Sequence, residues 1–336
     1  MTAGLMRAVR LARTGGPEVL SLEEVPTPAP GPADILVRHH AIGLNFIDVY
    51  HRAGLYPIPL PATLGLEAAG VVEAVGAEVG RFHVGDRVGY CGTLGAYAEA
   101  GVVPADRAVG LPDSVSFEVA AGSLLKGLTA EFLARRMLPL QAGDFALVHA
   151  AAGGVGSLLT QWLSALGVRV IGTAGSPEKA LAARCHGAEA VILYDAEDVA
   201  ERVRAVTDGR GVRIAYDSVG RATFQATLAS LGRRGLLVSY GNASGPVPAI
   251  EPLRLARGGS LSLTRPTLFD YIATTDELDE AAAALFDVIA SGAVKVEIGR
   301  RFPLAEVQAA HRTLEARETT GSTVLFPGMA SDELRV

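Results

Sequence analysis

The segment from Phe145 to Val168 contains no Asp, Glu, Lys or Arg, so it must be buried in a protein core or in a lipid bilayer. It is long enough to span a bilayer, yet it carries His149, adjacent glycines and several polar side chains, and its apolar period changes midway. Such a change is typical of a buried strand, a glycine turn and a packed helix. We therefore interpret it as an α/β unit and expect no association with a membrane.

Strands and helices alternate along the chain after this point. The helix after Gly153 is predicted to run to Gly167, and Ser176 followed by Pro177 has the N-cap and first-turn pattern of the next helix. Six apolar runs separated by helices indicate a doubly wound parallel sheet. The predicted strands are Phe145–His149, Val168–Gly172, Ala190–Leu193, Arg213–Asp217, Gly235–Ser239 and Ser260–Leu263.

The first third of the chain has a different pattern, with short apolar alternations between turn residues and little helix. This spacing predicts a compact β-rich domain, and 336 residues are enough for about two domains. The fold class is therefore α/β, with a β-rich domain at residues 1–125 and 267–336 and a dinucleotide-binding domain at 126–266. The strands predicted in the first third are Ile35–Ile42, Ala68–Val75, Ala96–Val103 and Arg107–Leu111.

Charge and cysteine content exclude several other classes of protein. The net charge of −6 provides no basic field for nucleic acid, and the two cysteines cannot build a disulfide framework. The first residues lack the apolar stretch of a signal peptide, so we expect a cytoplasmic protein.

A turn that could bind a dinucleotide joins the first predicted strand of the sheet to its helix. In Ala150-Ala-Ala-Gly-Gly-Val-Gly156, Ala151 stands at the first glycine position of G-x-G-x-x-G, and Gly153 and Gly156 hold the second and third. Gly153 would let the backbone approach a pyrophosphate, and Gly156 would let the helix pack closely on the strand. The helix N-terminus would then supply N–H donors to the phosphates.

The end of the second strand indicates which dinucleotide is bound. NAD sites place an acid there for the ribose 2′-hydroxyl, whereas this chain has Thr173-Ala-Gly-Ser176, followed by Pro177 and Lys179. The Ser176 hydroxyl and the Lys179 cation suit a 2′-phosphate, and we expect Glu178 to point away from it. The alternative is that Lys179 is a solvated helix lysine. NADPH is thus the predicted cofactor.

These motifs, taken together, resemble one family. His149-Ala-Ala-Ala-Gly-Gly-Val-Gly156, Tyr216-Asp-Ser-Val-Gly220, Lys126-Gly-Leu-Thr129, Asn45-Phe-Ile-Asp48 and Gly85-Asp-Arg-Val88 are similar to the quinone oxidoreductases, the zeta-crystallin-like branch of the medium-chain dehydrogenase/reductases. The similarity extends in order from Met6 to Pro327. It implies a GroES-like β domain, a Rossmann domain that binds NADPH, a homodimer, and an active site in the cleft between the domains.

The resemblance also implies roles for individual residues near the nicotinamide. Asn45 would donate a hydrogen bond, Asp48 would brace the site, and the Tyr50 ring would lie over cofactor or substrate. Tyr56 would contact the quinone or protonate its oxygen, although it could simply pack on a proline turn. Asn45 could instead cap an ordinary helix, and Lys126 could be an exposed lysine at a helix start. The candidate catalytic residues are Asn45, Asp48, Tyr50, Tyr56 and Lys126.

The remaining cofactor contacts are expected on the carboxyl ends of the strands and on late loops, where ligands bind in such sheets. Thr129 would contact the nicotinamide carboxamide and Arg317 would reach back to the cofactor, unless Arg317 is a solvated helix arginine. Tyr194 could equally be a structural residue at a strand end. The candidate cofactor-binding residues are Asn45, Tyr50, Lys126, Thr129, Gly153, Gly154, Val155, Gly156, Ser176, Lys179, Tyr194, Ser218, Tyr240, Gly241, Asn242 and Arg317.

The segments that hold zinc in other members of the superfamily differ in this chain. No cysteine lies in Gly43–Asp48, and Leu66 stands before Glu67 where those members have histidine. His39 and His40 are neighbours on a strand and face opposite sides, so no metal is expected. Zinc acts as a Lewis acid on alcohols and aldehydes, whereas a quinone or conjugated enone already accepts electrons well. An electrophilic small molecule is therefore the predicted partner.

Three functions are compatible with these features. The first is NADPH-dependent reduction of quinones without a metal. The second is reduction of the double bond of an alkenal or enone on the same fold. The third is NADPH binding with little catalysis, as in a crystallin-like or RNA-binding relative, although the charge of −6 argues against strong RNA binding.

Overall fold

The computed structural model describes residues Gly4–Met329 and divides the chain into two compact units. The first unit contains the residues up to Lys126, Ile272–Ala290 and the residues from Val296 onward. The second contains Gly127–Tyr271 and Ser291–Lys295. The domain boundaries after residues 125 and 266 stay a prediction.

The first unit begins with antiparallel strands. β1 pairs with β2 and with the short β4, and we predicted no strand at β1 or β2. The strands predicted at Ile35–Ile42 and Ala68–Val75 are confirmed as β3 and β5, whereas the one predicted to begin at Ala96 begins only at Ala100. The elements are β1 (Leu5–Leu11), β2 (Leu20–Pro26), β3 (Asp34–Leu44), α1 (Phe46–Ala53), β4 (Ala62–Thr63), β5 (Glu67–Val75), β6 (Arg87–Cys91), β7 (Ala100–Pro104) and β8 (Ala108–Gly110).

The second unit is a doubly wound α/β domain. Its sheet has the strand order β11-β10-β9-β12-β13-β14, and every neighbouring pair is parallel, which confirms the predicted Rossmann sheet. The next elements are α2 (Phe117–Arg135), β9 (Phe145–Val148), α3 (Gly154–Ala165), β10 (Arg169–Ala174), α4 (Pro177–Cys185), β11 (Ala188–Leu193), α5 (Val199–Val206), β12 (Val212–Asp217), α6 (Phe224–Ser230), β13 (Leu231–Ser239), α7 (Pro252–Arg257), β14 (Ser262–Thr264) and α8 (Leu268–Tyr271).

The last part of the chain completes the sheet of the first unit. β16 pairs antiparallel with β3 and parallel with β15, so the sheet runs β15-β16-β3-β5-β6-β8 with β7 also paired to β3. Its core includes Ile35, Leu44, Tyr90, Tyr97 and Val307, all of them buried. The closing elements are α9 (Thr275–Ala290), β15 (Ile298–Pro303), α10 (Val307–Glu315) and β16 (Ser322–Phe326).

Between Gly4 and Met329, no helix combines the length and the hydropathy that crossing a membrane requires.

Candidate active site

The predicted dinucleotide turn lies between β9 and α3. All four residues of β9 are buried, Ala150 has a positive φ of 52°, and Gly153 is the N-cap of α3. A Cβ at Gly156 would clash with the carbonyl oxygen of Ala150, so the close approach of helix to turn requires glycine there. The N–H groups of the first helical turn have no carbonyl partners inside a helix, and they can bind an anion.

The end of β10 provides a second group of candidate contacts. Ser176 is the N-cap of α4, and its side chain accepts a hydrogen bond from the backbone N–H of Lys179 at 3.3 Å. The Tyr194 hydroxyl fills the space beside the Cα of Gly175. The structure therefore brings Ser176, Lys179 and Tyr194 to the same edge of the sheet, where a 2′-phosphate would bind in a Rossmann domain.

One expectation about this edge concerns Glu178. That Glu178 points away from the phosphate stays a prediction, while a hydrogen bond from the Ser176 side chain lowers the pKa of its carboxyl. Ser176 and Glu178 lie close together because Ser176 is the N-cap of α4, and an N-cap side chain points toward the first turn of its helix. A carboxylate thus stands beside the serine and lysine proposed for the phosphate.

The loops after β12 and β13 also meet. The backbone N–H of Tyr240 donates to the carbonyl of Asp217 at 2.8 Å, and the backbone N–H of Ala243 donates to the carbonyl of Ser218 at 3.2 Å. Ser218 therefore lies beside the segment Tyr240–Asn242, as their positions after neighbouring strands predict. Both loops lie at the same end of the sheet as the turn after β9, since β12 neighbours β9.

A buried hydrogen-bond network around His149 and Asp217 joins the strand ends from which these loops start. The two ring nitrogens of His149 lie 3.1 Å from the Thr173 hydroxyl and 2.9 Å from the Thr227 hydroxyl, and Thr227 donates to Asp217 at 3.0 Å. His149 and Asp217 are buried, and burial lowers the pKa of His149 although the Asp217 charge opposes this effect. The network holds the ends of β9, β10 and β12 in place.

In the first unit, Asn45, Glu67 and Lys126 form one buried cluster. Asn45 Nδ2 donates to Glu67 Oε2 at 2.8 Å, and Lys126 Nζ forms an ion pair with the same oxygen at 3.2 Å. The backbone N–H of Leu125 donates to the other oxygen of Glu67 at 2.7 Å. Glycine at position 43 leaves room for this carboxylate, because a Cβ there would clash with Glu67 Oε2.

This cluster bears on the alternative roles of Lys126 as an exposed lysine and of Asn45 as an ordinary helix cap. Lys126 is not an exposed lysine at a helix start, since it is buried in the middle of α2. Asn45 does cap α1, in a capping box with Asp48, and its side-chain amide also donates to Glu67. Because a carboxylate only accepts, the amide nitrogen of Asn45 must face Glu67 and its oxygen must face elsewhere.

Asp48 is the third residue of α1 and is fully buried. Its Oδ2 accepts hydrogen bonds from the backbone N–H of Asn45 and from the Tyr97 hydroxyl, both at 2.9 Å. Burial raises the pKa of the Asp48 carboxyl to about 7, and the bonds from Asn45 and Tyr97 oppose this rise. Asp48 therefore changes charge near neutral pH.

The other candidates of the first unit surround α1 or follow α10. The rings of Tyr50 and Tyr56 pack edge to face with centroids 5.1 Å apart, and the backbone N–H of Tyr56 donates to the Tyr50 carbonyl at 3.1 Å. Arg317 is exposed and has a positive φ of 60° just after α10. Thr129, on α2 in the second unit, is buried one helical turn after Lys126.

The residues near Glu67 do not fit a metal. Over Gly4–Met329, no group of three or more His, Cys, Asp or Glu side chains is arranged to hold an ion. The Glu67 carboxylate is already engaged by Asn45, Leu125 and Lys126. His39 is buried and bonded to the Ala98 carbonyl at 2.8 Å, whereas His40 is exposed.

Comparison with protein families agrees with the two units. Residues 31–113 match the alcohol dehydrogenase GroES-like domain, and residues 154–287 match the zinc-binding dehydrogenase family. The fold thus combines a GroES-like β-rich domain with a Rossmann domain, as in medium-chain dehydrogenase/reductases.

Similar proteins indicate which family of medium-chain dehydrogenase/reductases the chain belongs to. A quinone oxidoreductase of Pseudomonas aeruginosa is 52% identical over 96% of this chain and 100% of its own length. The crystal structure of Escherichia coli quinone oxidoreductase complexed with NADPH matches with a TM-score of 0.94, at 47% identity over 96% of this chain and 100% of that one. A 2-haloacrylate reductase of a Burkholderia species is 41% identical over 96% and 99%. The chain belongs to the quinone oxidoreductase family of zinc-independent medium-chain dehydrogenase/reductases.

Several residues of this site were not predicted. Tyr97, His311 and Arg52 have no motif of their own, and 214 residues separate Tyr97 from its partner His311. His149 did stand in a motif that we quoted, but only as the residue before the glycine turn. His149 is the last residue of the apolar strand predicted at Phe145–His149. That position could have indicated a buried histidine, which needs hydrogen-bond partners.

Proposed function

We propose that this chain catalyses the NADPH-dependent reduction of quinones without a metal. The observation that carries the proposal is the turn from Ala150 to Gly156 at the start of α3, since its backbone is built for a pyrophosphate. Ser176 and Lys179 stand at the end of β10, where an NAD site would have an acid. A relative of known structure, from Escherichia coli, was crystallised with NADPH.

When bound, NADPH supplies a hydride to an electron-poor acceptor. The residues of this chain bind and orient the two reactants. Gly153, Gly154, Val155 and Gly156 would bind the pyrophosphate, and Ser176, Lys179 and Tyr194 the adenosine end. Contacts to the ribose and the nicotinamide would come from Thr129, Ser218, Tyr240, Gly241, Asn242 and Arg317.

The cluster around α1 would act on the acceptor and the nicotinamide. Asn45 has one N–H bonded to Glu67, so its amide is held in one orientation and can contact a ligand with its other polar atoms. Tyr50 and Tyr56 present hydroxyls on neighbouring rings, and either could contact a quinone oxygen. Lys126 is held beside Asn45 by its ion pair with Glu67, and its remaining N–H groups could donate to an acceptor that gains negative charge.

This assignment of roles predicts the effect of two substitutions. Asn45→Ala removes the amide, and Tyr50→Phe removes a hydroxyl while keeping the ring. We expect each variant to lower kcat/KM for a quinone by about 10-fold to 100-fold, the loss expected for one misplaced contact. Steady-state kinetics measure this loss, and circular dichroism checks that both variants are folded. Unchanged kinetics in both would remove the α1 cluster from the site.

A second candidate function is reduction of an activated alkene. The 2-haloacrylate reductase of Burkholderia, at 41% identity over nearly the whole chain, favours it. Both reactions begin with hydride transfer to an electron-poor carbon or oxygen, so the same cofactor site serves them.

The acceptor decides between these functions. We would measure NADPH oxidation by the purified, metal-stripped protein with 1,4-benzoquinone and with an α,β-unsaturated ketone. Rapid oxidation with the quinone alone supports the quinone reductase, and preference for the ketone supports alkene reduction. Tight NADPH binding with neither acceptor consumed would support a binding protein with little catalysis. NADPH consumed per acceptor, followed with a one-electron trap such as cytochrome c, separates one-electron from two-electron reduction.

The assembly and location of the protein are also proposals. We propose a homodimer, which pairing between the β14 strands of two copies would allow, since β14 is the last strand in the order of its sheet. Light scattering during gel filtration tests the dimer, and cell fractionation tests the predicted cytoplasmic location.

A further inference from the structure

A buried chain of hydrogen bonds links Arg52 to Asp48 through His311 and Tyr97 within the first unit. Arg52 Nη1 lies 3.1 Å from His311 Nδ1, His311 Nε2 lies 3.1 Å from the Tyr97 hydroxyl, and this hydroxyl lies 2.9 Å from Asp48 Oδ2. All four side chains are at most 2% exposed. The outer end is anchored by Glu315, which accepts two hydrogen bonds from Arg52 at 2.7 and 2.8 Å.

The chemistry of its members gives this chain one direction. A guanidinium only donates, so His311 Nδ1 must accept from Arg52. The neutral ring then carries its hydrogen on Nε2 and donates it to the Tyr97 oxygen, which leaves the Tyr97 hydrogen for Asp48. Burial, helped by the Arg52 charge, lowers the pKa of His311 to about 3, in agreement with a neutral ring. Each member therefore donates toward the Asp48 carboxylate.

The ionised form of Asp48 depends strongly on the hydrogen bond from Tyr97. Its Oδ2 accepts the two bonds from Asn45 and Tyr97, while Oδ1 has no hydrogen-bond partner among the described residues. An ionised carboxylate that is fully buried with one unpaired oxygen is costly, so loss of the Tyr97 bond favours its protonation.

Other charged and titratable groups also face Asp48 from the elements packed around it. Lys126 on α2 favours the ionised form and Glu67 on β5 opposes it. The elements around Asp48 also carry Arg52 and His51 on α1, Tyr97 before β7, and His311 and Glu315 on α10.

Ionised Asp48 holds Asn45 in place. Its carboxylate accepts from the backbone N–H of Asn45, the residue that starts α1, and the Asn45 side chain in turn donates to Glu67. A protonated Asp48 would keep at most a weaker bond to that N–H, since bonds to charged acceptors are about twice as strong as neutral ones. The position of Asn45 therefore follows the charge of Asp48.

We propose that Tyr97, His311 and Arg52 are positioning residues of the reductase, which keep Asp48 ionised and thereby hold Asn45 in its working orientation. This inference rests on the proposed function, because Asn45 is one of its candidate catalytic residues. It adds to that function a set of residues that touch neither cofactor nor acceptor.

The first unit contains a matched control. Tyr90 and His39 form a second buried tyrosine–histidine pair, with 2.9 Å between the hydroxyl and Nε2. Here His39 Nδ1 donates to the Ala98 carbonyl, so Tyr90 donates to the histidine and the pair ends at the backbone. Tyr90→Phe and Tyr97→Phe each remove one buried hydroxyl bonded to a histidine, but only the second also removes a donor to Asp48.

The test compares pH profiles of kcat/KM for 1,4-benzoquinone and, separately, the pH dependence of the unfolding midpoint. We expect the acid limb of the activity profile to move to higher pH by about 1 to 2 units in Tyr97→Phe, the size of a lost bond to a charged group, and to stay in place in Tyr90→Phe. The pH-dependent loss of stability due to Asp48 should extend to higher pH by the same amount.

A pair of histidine variants tests the direction of the chain. His311→Gln can accept from Arg52 and donate to Tyr97, and it should keep the wild-type acid limb, whereas His311→Leu should shift it as Tyr97→Phe does. Equal shifts in the two histidine variants, or a Tyr97→Phe profile that coincides with that of Tyr90→Phe, would overturn the proposal. Should the wild-type protein consume neither acceptor, the proposed function fails, and the unfolding titration alone still decides whether the chain controls Asp48.

Discussion

Each unit of the molecule contains a buried aspartate that is linked to a buried neutral histidine through one hydroxyl group. Asp48 receives the Tyr97 hydroxyl, which His311 supports, and Asp217 receives the Thr227 hydroxyl, which lies next to His149. Both carboxylates are fully buried, and both accept backbone N–H groups close to them in sequence.

The two sites differ in how completely the carboxylate is bonded. Asp217 Oδ1 accepts from the backbone of Val219 and Gly220 at 2.8 and 2.9 Å, and the Thr223 hydroxyl lies within 2.9 Å of both oxygens. Within Gly4–Met329, Asp48 is bonded through Oδ2 only. A buried acid with both oxygens bonded holds a loop in place, whereas a buried acid with one unbonded oxygen changes its charge more readily.

The largest expected effect comes from removing the fully bonded acid. Asp217→Ala leaves the half-buried N–H of Val219 and the buried N–H of Gly220 without an acceptor, at up to about 1–3 kcal/mol for each group. We expect a loss of about 2–6 kcal/mol in the free energy of unfolding, together with weaker NADPH binding because Ser218 and Tyr240 belong to the same loops. Urea unfolding followed by fluorescence measures the loss. A loss below about 1 kcal/mol would mean that the bonds to Asp217 do not hold the loop.

A second effect appears in the pH dependence of stability. The folded-state pKa of Asp48 is raised from 3.8 to about 7, so the folded state binds this proton more tightly than the unfolded chain does. The stability due to the neutral acid is therefore complete below about pH 4 and is lost as the pH rises toward 7.

Asp48→Asn should abolish this part of the pH dependence. We expect the wild-type minus variant difference in unfolding free energy to fall by a few kcal/mol between about pH 4 and pH 7 and to be flat above it. Chemical unfolding at a series of pH values measures this difference. A difference that rises with pH would instead mean that Asp48 is stabilised in its charged form, as an ordinary paired acid is.

The smallest effect concerns an exposed carboxylate. Glu178 accepts a hydrogen bond from Ser176, but it lies in solvent, so its charge acts on a nearby phosphate only through water. Glu178→Gln keeps the shape of the side chain and removes the charge. We expect the Kd for NADPH to fall by about two-fold to five-fold at low salt, with little change for NADH. Equal changes for both cofactors would separate Glu178 from the 2′-phosphate.

Much of the second unit was predictable from sequence, because its signals are local. The uncharged run from Phe145, the glycines of the turn and the Ser176-Pro177 helix start all depend on near neighbours in the chain. Each predicted strand of the Rossmann sheet lies on an observed one, with ends shifted by a few residues. The hydrogen bond between Ser176 and Glu178 was not predicted in this way, since it depends on the side-chain conformations of both residues.

The first unit was predicted less completely, for a physical reason. β1 and β2 alternate polar and apolar residues only weakly, with exposed Glu23 and Glu24 along β2, so pairing and not pattern makes them strands. The buried position of Lys126 also depends on Glu67, which lies 59 residues away. An isolated lysine in a sequence is read as exposed because burying its charge requires a partner that local sequence does not contain.

The sequence by itself determined the α/β class, the dinucleotide turn and the lack of an acid at the end of β10, since periodicity, glycine and charge act over a few residues. Only the tertiary structure decided which polar groups meet. It joined Arg52 to His311 across 259 residues, left Asp48 Oδ1 without a hydrogen-bond partner among the described residues and formed the ion pair of Lys126 with Glu67. A buried polar group must find its partner wherever the folded chain brings one, and this requirement is met by packing at long range.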